Sequence, residues 1–372
     1  MANGYCAPIL RHITSLGLSD PAKKLRPLGF TQMLLCCMDG SIKLDNTQNG
    51  HTNNGFTVKY YERVPESAVS DTATDCDVAL EPAYKEFGMP TLQKSSITFA
   101  IPLKTIRAYC KDASDMVSLG RETTVMREVY DLIINHARAL YSAINTKLVT
   151  QMSTQFGVNV TTNSNAVRAL KFKEDDVLMR SVVASILNDV TDNEFCNDFC
   201  MVGNGPFAAF ENMKAAFGNV SAIGFDPNKF VNLLPRVWSD KATRNIWGAN
   251  QVGLFEKGSL ALLSQDQYVG SFAGKFANSE RFNMALPVEE FNCPQECLDQ
   301  LHIDVAIREI DCPTVMTING AQKTVNNVIA VTLSKDYSLF VKPGTLYAAG
   351  DELAGVNGTL RYAISEVEPT TP

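Results

Sequence analysis

The sequence predicts an α+β fold organised around one very long helix. Three observations predict it. An apolar stripe at helical spacing runs unbroken from about Arg121 to Gln155, and roughly sixty residues before it are polar, Gly/Asn-rich and poor in helical periodicity. The C-terminal third, in turn, is a series of short apolar alternations separated by turn residues. A helix that long beside an arm that bare suggests a subunit built to associate with others.

In chain order, the segment 1–44 reads as an arm. Pro8, Pro21 and Pro27 interrupt every incipient helix by removing a backbone donor, and apolar residues come in short bursts such as Met33-Leu34-Leu35. From Asp45 to Asn54 the chain is almost wholly polar, and it leads into an alternating strand, Phe56–Tyr61. A polar, acidic stretch from Pro65 to Asp77 follows, and Ser95–Ile101 reads as a returning strand. Two strands bracketing so polar a stretch predict a long two-stranded excursion. It cannot bury enough apolar surface to hold itself rigid alone, so it needs a neighbour to lie on.

The helix itself follows from spacing. Met126, Val129, Tyr130, Ile133, Ala137, Leu140, Tyr141, Ile144, Leu148 and Met152 recur at steps of three and four, while Arg121, Glu122, Arg127, Glu128, Asp131, Arg138 and Lys147 occupy the opposite side. About 35 residues at 1.5 Å each make a rod of roughly 50 Å, well beyond the mean helix. The competing reading is a long core helix of a two-layer enzyme domain. Gly157 is expected to supply a left-handed stop.

Beyond it, 158–166 is a polar turn region, and Glu174-Asp175-Asp176 opens a second helix with the stripe Val177, Leu178, Val182, Val183, Ile186, Leu187 and Val190. Phe195–Val202 reads as a buried strand, and Gly203-Asn204-Gly205-Pro206 turns into a third helix through Phe217. After Gly218 come short strands and loops marked by Gly253, Gly258, Gly270 and Gly274. Strands are then expected at Val305–Ile310, Thr314–Ile318, Val328–Leu333 and Leu360–Ile364, with a turn at Lys342-Pro343-Gly344. No internal repeat stands out.

Composition narrows the class. With 372 residues, 45% hydrophobic and 20% charged, the chain has material for two or three cores. Its net charge of −7 argues against a surface that grips nucleic acid by neutralising phosphates. No apolar run approaches the ~20 residues that span a bilayer, and 1–20 lacks a charged-then-apolar signal layout, so a cytosolic, non-membrane protein is expected. The ten cysteines are scattered. Cys196/Cys200 and Cys293/Cys297 could each offer half a zinc site if the pairs met; the favoured reading makes all ten reduced, small buried hydrophobes.

A search for chemistry yields little. No phosphate-binding loop, dinucleotide fingerprint, zinc-protease helix or nucleophile elbow is present. Gly203–Pro206 superficially resembles a phosphate-cradling turn but lacks a lysine, which favours ordinary turn chemistry. His12, His51, His136 and His302 have no partner specified by sequence, so each is expected to be satisfied or solvated. The carboxylates at Glu174–Asp176 and Glu289/Glu290 read as solvated faces. Trp238 and Trp247 frame a segment where aromatic and basic residues interleave, as at a subunit interface or, less favoured for an acidic chain, a nucleic-acid contact. No catalytic, cofactor-binding or metal residue is assigned, no cofactor is expected, and the chain does not read as an enzyme.

The order of elements, with Phe199–Pro206 as a strand-turn-helix and Val305–Pro313 as an acidic strand before the last β elements, resembles the major capsid proteins of tailed bacteriophages, the Hong Kong 97 fold. The resemblance covers nearly the whole chain and rests on architecture. It implies an N-terminal arm at 1–44 and an extended loop at 45–103. A peripheral domain with a spine helix would span 104–173, an axial domain 174–274, and a β-rich segment returning to the peripheral domain 275–372. It implies a virion protein, assembled in the host cytoplasm, that forms hexamers and pentamers of itself in an icosahedral shell around double-stranded DNA, without sequence-specific binding. Scaffold, portal and decoration proteins are the implied partners, the scaffold being a separate chain because the arm starts near Met1. An encapsulin-type compartment and a cysteine-dependent α/β hydrolase are the alternatives.

Overall fold

A computed structural model of the protein describes residues 24–25, 28–37, 42–45, 57–61, 84–88, 91–103, 105, 124–173, 180–195, 199–205, 237–270, 273–276, 279–288, 300–310, 314–318, 321–325, 328–344 and 353–367. They form an α+β structure that divides into two compact units. The first takes 1–27, 92–144 and 264–337, and the second 28–91, 145–263 and 338–372. Both are discontinuous in sequence. The division falls inside a helix, after Ile144, and inside a strand, after Tyr337.

That helix, the longest described, is Thr124–Met152, 29 residues, within the span the periodicity predicts. Val129, Tyr130, Ile133, Ala137, Leu140, Ile144, Leu148 and Met152 are all buried, and Glu128, Asp131, Arg138 and Lys147 are exposed, so the stripe and the solvated face lie where spacing puts them. Gly157 corrects the sequence reading. It does not have a positive φ. A Cβ there would lie 2.2 Å from Asn357 Oδ1, so glycine is required by close approach of another segment, not by the helix stop.

The first unit holds most of an antiparallel sheet in the order β10 (Gly274–Phe276), β11 (Ser279–Pro287), β12 (Gln300–Ile310), β15 (Val328–Val341), β4 (Gln93–Pro102), with β9 (Leu260–Gln265) also pairing β15. β4 runs beside β15 from Gln93↔Tyr337 to Pro102↔Val328, and β12 from Asp304↔Ser334 to Ile310↔Val328. In β11, Phe282, Met284 and Leu286 are buried, the period of two that marks a half-covered strand. Between β12 and β15 a separate two-stranded ribbon, β13 (Thr314–Ile318) with β14 (Ala321–Val325), pairs only with itself among the described residues.

The strands expected to bracket the polar excursion form at β2 (Thr57–Tyr60) and at β4, but they do not pair with each other. β2 joins β1 (Lys43–Asp45) and β3 (Lys85–Glu86) in a small sheet of the second unit. β4 is ten residues long and finds in β15 a partner that matches its whole length, which a four-residue strand could not offer. Residues 46–56 and 62–83 lie outside the described residues.

The second unit is built on a mixed sheet, β5 (Arg168–Lys173), β16 (Thr359–Val367), β8 (Gln251–Glu256), β6 (Phe199–Gly203) and β7 (Val237–Ser239) in that order. β5 and β16 run parallel, as do β6 and β7; the other pairs are antiparallel. Val182, Ile186 and Val190 of helix Arg180–Asp192 pack on Met201, Leu254, Tyr362 and Ile364 in one core. Glu174–Asp176 and the helix expected through Phe217 lie outside the described residues. The sequence reading does not include β5, whose run Arg-Ala-Leu-Lys-Phe-Lys mixes basic and apolar residues without strict alternation.

Candidate functional site

Among the described residues, polar side chains converge at three places. In the second unit Asp189, with a fully buried side chain, sits near the end of helix Arg180–Asp192. Its Oδ1 accepts from Arg168 of β5 and from Thr161 Oγ1 at 2.7 Å; its Oδ2 accepts from Asn159 Nδ2 at 2.9 Å and Tyr362 OH at 3.0 Å. Asn193 Nδ2 donates to Asn159 Oδ1 and to the Asp189 carbonyl. Burial pushes the Tyr362 hydroxyl well above its ordinary value, with Arg168 opposing the shift. A carboxylate with four donors, one of them a neutral phenol, is satisfied, which suits it to hold helix, turn and sheet together and leaves it no free electron pair for proton transfer.

The second place is Asp240, the N-cap of helix Lys241–Ile246. One oxygen accepts the Ala242 N–H at 2.7 Å; the other accepts the Phe30 N–H of helix Gly29–Cys37 at 2.7 Å and Asn145 Nδ2 at 2.9 Å. Beside it Phe30, Phe156, Trp247 and Phe255 meet edge-on or tilted at centroid distances of 5.3–6.4 Å. Arg361 lies over Phe156 and Trp247 and donates to Gln251 Oε1 and the Trp247 carbonyl. Trp238 and Trp247 are both buried. Both rings are thus used within the fold: aromatic side chains interleaved with Lys and Arg here form a core whose polar neighbours cap a short helix.

The third place is in the first unit. Asp304 of β12, fully buried, accepts the N–H groups of Gln267 and Tyr268 at 2.8 and 3.0 Å and Asn283 Nδ2 at 3.2 Å. Asp336 of β15 accepts Gln267 Nε2 at 2.6 Å, and Lys335 Nζ bonds Asp266 Oδ1 at 2.6 Å. The segment 266–268 is thus strapped across the sheet. Burial, with Asp266 and Asp304 adding to it, raises the hydroxyl pKa of Tyr141, which donates to the His302 carbonyl. Burial also raises the Asp336 carboxyl, opposed chiefly by Lys94.

Among the described residues, those weighed in the sequence are not gathered into a reactive site. His136 stacks on Phe99 at 4.1 Å with Nδ1 2.7 Å from the Leu132 carbonyl, and His302 Nδ1 lies 2.8 Å from Asn283 Oδ1. His12, His51, Glu289 and Glu290 lie outside the described residues. Asn204, in the Gly-Asn-Gly-Pro turn, uses Nδ2 on Thr243, Gly248 and Gln251 and accepts the Asn250 N–H, so this turn is consumed by its own neighbours. Cys200 is disulfide-bonded, which overturns the expectation that all ten cysteines are reduced; the side chains of the other nine lie outside the described residues. Among the described residues no three His, Cys, Asp or Glu side chains are placed to hold a metal ion, and no helix is long and apolar enough to cross a membrane. Sequence reasoning missed Asp189, Asp304 and Asp336. For Asp304 the signal was a lone acid inside an apolar run, Ile303–Ile307, which marks a buried, partnered carboxylate.

No protein-family model and no curated protein matches the chain. Among solved structures, a chain from Mycobacterium phage Adephagia aligns with 8% identity and a TM-score of 0.39, over 94% of this chain and 90% of that one. One from Gordonia phage Cozz gives 8% and 0.39 over 92% and 88%, and one from the capsid of cyanophage P-SCSP1u gives 8% and 0.35 over 92% and 86%. Superpositions this loose carry no functional argument by themselves.

Proposed function

We propose that the chain is a shell-forming structural subunit with the Hong Kong 97 architecture, self-associating into hexamers and pentamers that close around double-stranded DNA. One observation carries the reading. The first unit joins the greater part of a 29-residue helix to a sheet whose long strands β12 and β15 return from far along the chain, after β5, β6, β7 and β8 of the second unit's sheet and before its last strand, β16. A spine helix, an intervening axial sheet and strands returning to the spine are the order that the architecture requires. Contacts that close into rings spread many modest interactions over arms and loops, so a subunit whose described polar clusters tie its own segments together suits the role. In this reading 1–44 is the arm, 45–103 the extended loop, and scaffold, portal and decoration proteins are partners, with assembly in a host cytoplasm and residence in the virion.

Electron microscopy and sedimentation of the purified chain, expressed with and without its neighbouring genes, test the reading. Rings or hollow closed particles are expected. A stable globular monomer under every condition overturns it. Particles filled with protein and free of DNA when recovered from the native source would move the chain to a cargo compartment.

A further inference from the structure

Two buried side-chain oxygens in the first unit lack a hydrogen-bond partner, Gln265 Oε1 and Asp336 Oδ1. Their positions are related. Lys342 donates its N–H to the Ser259 carbonyl at 2.8 Å, just outside the paired strands β9 and β15. β9 begins at Leu260 and β15 ends at Val341, so only an antiparallel ladder continues from that bond, and following it sets Gln265 opposite Asp336. Directly opposed side chains have Cβ atoms about 4.5–5.5 Å apart, within mutual reach. Asp336 is 8% exposed, so water does not readily supply the missing donor. An amide oxygen facing an ionised carboxylate is two acceptors with nothing between them.

We propose that Asp336 is an acid-operated latch: at acid pH it takes up a proton on Oδ1 and donates it in a hydrogen bond to Gln265 Oε1, fastening the end of β9, where the strap 266–268 begins, to β15. The groups around it fix the sense of the switch. Across the other ladder Lys94 of β4 stands opposite Asp336 and favours its ionised form, as does Lys335 next in the strand. Gln267 Nε2, from the strap, does the same through Oδ2. Asp304 of β12 opposes ionisation. Lys335 is held by Asp266, and Lys94 lies over the Tyr268 ring, 5.8 Å from its centroid, with Arg281 of β11 over the same ring at 5.5 Å. Tyr141 of the long helix faces Asp266 and Asp304 as a neutral phenol. Burial outweighs Lys94, Lys335 and Gln267 and, with Asp304, raises the proton affinity of Asp336 on folding. The linked stability is present when the group is protonated and is lost as pH rises from the ordinary carboxylate range through the raised folded value. The latch is independent of the shell reading, since it concerns a unit's own packing.

The test compares the thermal midpoint of the full chain between pH 5 and 8 for the wild type, Asp336→Asn and Gln265→Met. The wild type is expected to gain about 2–4 °C on acidification relative to Asp336→Asn. That variant carries an amide donor where the proton would sit, so it should hold its acid-side midpoint at pH 8. Gln265→Met removes the acceptor, keeps similar bulk and should lose most of the wild-type gain. Parallel pH profiles for wild type and Asp336→Asn overturn the proposal, as would follow if the Gln265 amide were turned to donate its own nitrogen or a water bridged the pair. A full acid gain retained in Gln265→Met overturns it too.

Discussion

At the residue scale, the second unit depends on small places where chemistry allows one side chain and no other. Asp189 is buried with donors from Arg168, Thr161, Asn159 and Tyr362. Replacing it with alanine strands a guanidinium, an amide and a phenol in a dry site. The expected loss is about 3–5 kcal/mol, the range for breaking a buried ionic network by removing one partner, read as a lower denaturant midpoint. Asp189→Asn, which keeps the volume and some acceptance, should lose less. At Gly157 the argument is steric. Asn357 cannot retreat from an added Cβ, because its Oδ1 accepts from Thr359 N and Oγ1 and its Nδ2 donates to the Gln155 carbonyl. Gly157→Ala should therefore cost about 1–3 kcal/mol by overpacking, measured by urea unfolding. An unchanged midpoint would show that this contact is slack. Neither fact was legible in the sequence, since both join residues far apart in the chain and no local pattern encodes the meeting.

At the element scale, the sequence was readable where one face of an element is buried over many residues. The helix stripe from Val129 to Met152 and the alternation in β11 are long enough for periodicity to show. Short elements escaped. Helix Lys241–Ile246 was hidden because the tryptophans on either side drew a reading based on composition, although Asp240 is a capping residue in the right place. β2 and β4 were found as strands, but their partners were not: β4 pairs with β15, more than two hundred residues later, and β2 with β1 and β3, too short to show a period of their own. The long helix offers the cleanest test. Ile133→Pro removes a hydrogen bond, clashes with the preceding turn and empties a buried position, at a cost of roughly 3 kcal/mol or more from the backbone alone. The variant is expected to be insoluble or to melt far below the wild type in circular dichroism; a soluble, normally melting protein would contradict the helix.

At the scale of the whole molecule, folding and association are expected to draw on different residues. The antiparallel pair β1 and β2 ends at Asp45↔Thr57, so the polar run that follows Asp45 leaves and re-enters the small sheet through a closed pair. Asn46–Asn54 has no core-forming periodicity in its sequence. Replacing it with a short Gly/Ser linker keeps the two ends where β1 and β2 already hold them, and changing a loop's length costs only tenths of a kcal/mol to about one. The thermal midpoint of the dissociated subunit should therefore move little. Under the shell reading the same change removes an extension that reaches a neighbouring copy, so closed particles should fail to form or should break at lower temperature or denaturant. An enzyme would show no assembly defect, and a loop needed for folding would lower the subunit's own midpoint. Measuring that midpoint beside particle yield separates the three cases, and wild-type particles of unchanged robustness would remove the extended loop from the account of how copies of this chain associate.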